Sequence, residues 1–130
     1  ELQDIARVAS GGELSRLMLS IKSLISGKRE LPTIIFDEID SGVSGEIAFK
    51  VGKIMKEMSE DRQVFSITHL PQVASKGDHH FLVFKNERES GTSTEIKLLN
   101  KDERLAEIAK MLSGEQTTEA AIANARELLG

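Results

Sequence analysis

The 130-residue chain contains no cysteine, so disulfides and thiolate metal sites are both excluded. That composition fits an intracellular protein. Trp and Tyr are missing and Phe occurs five times, which leaves little from which to build a base-stacking platform. No apolar run approaches the ~20 residues that span a bilayer, and no signal peptide opens the sequence. A net charge of −4 argues against a free-standing nucleic-acid binder, although a local basic patch is compatible with that total. Any grip on DNA is expected to lie elsewhere. A phosphate loop of the form G-x-x-x-x-G-K-[ST] is also absent. Its nearest approach, Gly27-Lys28, has Lys22 where the first glycine belongs and Arg29 where Ser or Thr is required.

What remains is the composition of one ordinary soluble domain, with 39% hydrophobic and 29% charged residues. Leu14, Leu17, Met18, Ile21, Leu24 and Ile25 recur at helical spacing and predict a helix over about 11–26. Residues 33–37 read as a strand apolar on both faces, as in a central parallel strand covered by helices. A helix over 45–59, a strand over 64–68 and a short turn or helix over 71–74 follow. Strands at 81–85 and 94–99 flank a polar turn, Asn86 to Thr92, and suggest a hairpin. Helices near 102–112 and 117–129 close the chain, parted by Gly114, with Thr117 or Thr118 as a cap. Helix, buried strand, helix, buried strand predicts an α/β layered, largely parallel sheet with a C-terminal hairpin and two helices.

Three short motifs carry chemistry. Ser10-Gly11-Gly12-Glu13 precedes an apolar-periodic run and reads first as a capping box. Its paired glycines also suit close backbone approach, and a helix start offers amides and a dipole to a phosphate. The two readings are compatible. Asp37 and Glu38 end a buried strand, where catalytic groups of open α/β sheets collect. Adjacent strand residues point to opposite faces, so one acid can serve a metal-bound water while the other orients attacking water. An isolated acidic pair is more simply a loop start. His69 follows Val64-Phe65-Ser66-Ile67-Thr68, and parallel strands would bring it to the same edge as the two acids. A lone histidine there is otherwise a packed or surface residue. His79 and His80 read as opening a strand, and three histidines without suitable spacing make a weak zinc site.

In this order, Ser10 to Glu13, Thr33 to Glu38, Ile39 to Gly45 and His69 resemble the ATP-binding-cassette ATPases, and within them the heads of SMC-like DNA repair proteins. The resemblance runs through the stretches 8–22, 36–45, 67–74 and 107–114, and so along nearly the whole chain. It implies the C-terminal lobe of an ABC-type ATPase head over residues 1–130, lacking the Walker A lobe and coiled coil. Ser10, Gly11, Gly12 and Glu13 would be the signature that grips the ATP γ-phosphate on the opposite head. Asp37 would support Mg2+ through water, Glu38 would polarise the attacking water, and His69 would contact the γ-phosphate. Asp40, Ser41 and Gly42 would form the D-loop along the dimer interface.

The implied partners are the N-terminal lobe of the same head, a second head in an ATP-dependent homodimer, and DNA through the full-length protein, with no membrane. The implied setting is bacterial, cytoplasmic and nucleoid-associated. Glu13 stands where transporters commonly carry Gln, and residues 40–45 lack the transporter Ser-Ala-Leu-Asp. Both departures favour DNA double-strand-break repair over the alternative of a transporter ATPase subunit. A non-enzymatic α/β interaction module would leave the joint occurrence of the motifs unexplained. Without Walker A, the fragment alone is expected to be inactive.

Overall fold

A computed structural model describes residues 21, 32–38, 43, 45–88, 91–114 and 117–130. The helix expected over 11–26 lies outside them, except that Ile21 is helical and packs against the first core. The described residues fall in two compact units, 1–76 and 77–130.

In the first unit the order is β1 (Thr33–Asp37), α1 (Gly45–Met58), β2 (Gln63–Ile67) and α2 (Pro71–Ala74). Ile34, Ile35, Phe36, Val64 and Phe65 give the β-branched and aromatic content that a pleated surface favours. The strands pair in parallel, in register from Thr33↔Gln63 to Asp37↔Ile67. Parallel neighbours need a crossover, which α1 supplies. Ala48, Val51, Gly52, Met55 and Met58 bury one stripe of α1. Glu46 in its first turn and Lys56 in its last complement the helix dipole. Phe36, Ala48, Val51, Met55, Met58 and Val73 form the core, with Ile34, Val43, Ile47, Ile54, Val64 and Leu70 around it.

The strand pair was expected to be covered on both faces. Among the described residues only the Phe36 face is covered, while Ile35 is 66% exposed and Ile67 54%. The second strand ends at Ile67 rather than at Thr68. Thr68 leaves the ladder, and its Oγ1 accepts a hydrogen bond from the Leu70 amide at 3.0 Å.

The second unit runs β3 (Phe81–Arg88), β4 (Gly91–Leu98), α3 (Lys101–Ser113) and α4 (Glu119–Leu129). The hairpin is antiparallel, in register from Phe81↔Leu98 to Arg88↔Gly91. Most of the polar stretch expected as a turn is therefore paired strand. An exposed ladder is held by its backbone, and Asn86 adds a side-chain bond to Glu95 Oε1 at 3.0 Å. The Asn100 side chain accepts from the Glu103 amide at 2.9 Å, and Glu103 Oε2 accepts from the Asn100 amide at 3.0 Å. That reciprocal capping box starts α3. The helix stops at Gly114, whose φ of 78° suits glycine. Thr118 caps α4, its hydroxyl accepting from the Ala121 amide at 3.1 Å. Ile108 and Ala109 of α3 and Ala121 and Ala125 of α4 are buried, and the small residues let the two helices approach.

The described architecture is thus the expected α/β fold, realised as one parallel and one antiparallel strand pair with helices.

Candidate functional site

The parallel pairing of β1 and β2 brings their carboxyl ends to one edge. Asp37 pairs with Ile67 as the last rung, and the Glu38 amide extends the ladder by donating to the Ile67 carbonyl at 2.9 Å. Thr68 and His69 follow immediately. Asp37, Glu38 and His69 therefore share this edge, and all three are exposed.

Strand alternation puts Asp37 on the face of Ile35, opposite Phe36 and the core. Glu38 is set differently. Its φ is 46°, the positive value found among the described residues outside glycine. A left-handed glutamate is uncommon and costs of order 1–3 kcal/mol, so such residues cluster where geometry serves function. The chain thus turns at the second of the two acids. His69 sits between the Thr68 turn and Leu70, the extended N-cap of α2, with Pro71 as the first helical residue.

The other sequence candidates, Ser10, Gly11, Gly12 and Glu13 and Asp40, Ser41 and Gly42, lie outside the described residues. Among the described residues no group of three or more His, Cys, Asp or Glu could hold a metal. The edge instead offers two hard carboxylates, which suits Mg2+, an ion held by one or two carboxylates together with substrate phosphates.

His79 and His80 directly precede β3, as expected. His80 is half-buried, and its Nδ1 has no hydrogen-bond partner among the described residues. Burial, and then the Arg104 cation, lower its pKa against the opposing charge of Glu107. Thr68, whose hydroxyl turns the chain beside His69, and Gly52, buried on α1, are not among the sequence candidates. The available signal was a glycine inside an otherwise regular apolar stripe.

No family model matches the chain. It is 48% identical over 128 residues to the DNA repair protein RecN of Vibrio cholerae, covering 98% of this chain and 23% of the relative. RecN of Rickettsia conorii is 50% identical over 125 residues, covering 96% and 23%. RecN of Bacillus subtilis is 44% identical over 128 residues, covering 98% and 22%. The chain thus spans about a quarter of the length of these relatives. A solved structure from work on ATP-driven dimerization and DNA-stimulated activation of SMC ATPases superposes with a TM-score of 0.64. That likeness covers 89% of this chain and 69% of the other; at 16% identity it shows the fold alone. Over nearly its whole length, then, this chain is similar to a part of the DNA repair protein RecN, and its fold is like that of an SMC ATPase.

Proposed function

We propose that the chain is the C-terminal lobe of a RecN-type ATPase head, which in the whole protein hydrolyses ATP during DNA double-strand-break repair. The observation that carries this reading is the joint arrival of Asp37, Glu38 and His69 at one sheet edge, with Glu38 in a left-handed turn. Asp37 offers a carboxylate for Mg2+, through water. Mg2+ supplies neutralisation of charge on the transferring phosphoryl group. Glu38 orients the attacking water and accepts its proton, and His69 donates a hydrogen bond to the γ-phosphate. Ser10, Gly11, Gly12 and Glu13 grip the γ-phosphate of the opposite head in an ATP-dependent homodimer, with Asp40, Ser41 and Gly42 along the interface.

The N-terminal lobe of the same head supplies the phosphate loop this chain lacks. It also covers the open apolar face of Ile35, Phe65 and Ile67, since parallel sheets are buried on both faces. DNA is engaged by the full-length protein, in the bacterial cytoplasm at the nucleoid. Among the described residues no helix is long and apolar enough to cross a membrane.

The test is calorimetric titration with Mg-ATP. The full-length protein is expected to bind tightly, Asp37→Asn to weaken that binding, and the isolated 130 residues to show no strong site. A micromolar site with turnover on the isolated chain, or unchanged affinity in Asp37→Asn, would overturn the assignment.

A further inference from the structure

Gly52 lies in the interior of the 14-residue α1, where glycine is a poor helix former, and it is buried. A Cβ at this position would meet the Gln72 carbonyl oxygen at 2.9 Å, the Lys76 Cγ at 3.1 Å and the Val73 Cα at 3.2 Å. Two of those atoms are backbone and cannot rotate away. The Gln72 carbonyl is further engaged by the Ser75 hydroxyl at 3.2 Å. Val73 is locked in the core beside Ala48, Val51 and Met55. The Lys76 ammonium lies 4.7 Å from the centroid of the Phe49 ring on α1. Only a residue without a side chain allows α2 to close on α1 in this way.

This contact matters because α2 begins two residues after His69. The Leu70 amide is tied back to Thr68 Oγ1, and the Leu70 carbonyl accepts from the Val73 and Ala74 amides at 3.1 and 3.0 Å. On its other side His69 is reached from Ile67, whose carbonyl is fixed by Glu38. The backbone of His69 is therefore held between the sheet edge and the seat of α2.

We propose that Gly52 is a positioning residue for His69, acting through the α1–α2 contact and assisted by the Thr68 turn. The inference rests on the ATPase reading of His69. Gly52→Ala would push α2 off its seat and move His69, while leaving the edge carboxylates on their strand.

The test is a double-mutant cycle on ATP turnover by the full-length protein, with Gly52→Ala, His69→Ala and the combination. Misplacing a group by about an ångström costs up to ~10²-fold. Gly52→Ala is therefore expected to lower kcat roughly 10- to 100-fold with KM for ATP nearly unchanged. In the His69→Ala background it is expected to add no further loss, because the residue it positions is gone. An equal proportional loss in both backgrounds would mean general destabilisation and overturn the inference. So would undiminished turnover in Gly52→Ala when His69→Ala is impaired. If His69→Ala alone leaves turnover intact, the ATPase role of His69 falls, and the inference with it. Should Gly52→Ala fail to fold, the same cycle with Thr68→Val, which adds no bulk between the helices, decides in the same terms.

Discussion

Glu38 and His80 show how single residues are made to depart from their ordinary behaviour. The Glu38 amide is committed to the Ile67 carbonyl at 2.9 Å, and its backbone takes a left-handed φ of 46°. The strain fixes where the carboxylate leaves the backbone, which is what the proposed water-orienting role requires. His80 is perturbed by burial and by Arg104, both of which disfavour its cation. An unfolded histidine titrates near ~6.5. The stability contributed by neutral His80 is therefore complete above that value, and is lost as pH falls through it toward the lower folded one. Urea unfolding at about pH 7.5 and about pH 5.5 should show a smaller drop in midpoint for His80→Gln than for the natural chain. Equal drops in the two would show that His80 does not couple folding to pH.

At the scale of elements, periodicity made most of the fold legible. Ile47, Ala48, Val51, Ile54, Met55 and Met58 mark α1, and the apolar run of β1 ends at the acid it was expected to present. The strand ends were less legible, because side-chain bonds decide them. Thr68 looks like a strand residue by type, yet its hydroxyl turns the chain toward α2. Residues 86–92 look like a turn by polarity, yet 86–88, 91 and 92 are paired, since an exposed hairpin needs no apolar face there. Gly52 was invisible to periodicity, having no side chain to count. Its role emerges only when α2 is seen against it.

Local bonds also set where α3 begins. Asn100→Ala removes one arm of the capping box and is expected to destabilise the chain by about 1 kcal/mol. Denaturant unfolding measures this directly, and an unchanged midpoint would show that the Glu103 arm suffices. Glu103, whose pKa is lowered chiefly by its bond to Lys97 and then by the Asn100 amide, keeps its charge in that arm.

At the scale of the whole molecule, the proposed reading is that of a half-site. The edge of β1 and β2 carries two acids and a histidine, while the sequence holds no phosphate loop. Apolar side chains remain open on both strand pairs, Ile35 and Ile67 on one and Val83 and Ile96 on the other. Large apolar surface of this kind belongs at interfaces. The most direct measurement of the central claim is single-turnover hydrolysis and ATP affinity of Glu38→Gln in the full-length protein. Loss of a positioned general base costs ~10²–10⁴ in rate, whereas Gln preserves shape and hydrogen bonding. Hydrolysis is expected to fall by that factor with ATP affinity retained, so that an ATP-bound dimer accumulates. Near-normal hydrolysis in Glu38→Gln, or a loss of ATP affinity that matches its loss of rate, would contradict the assignment of this edge as the hydrolytic half-site.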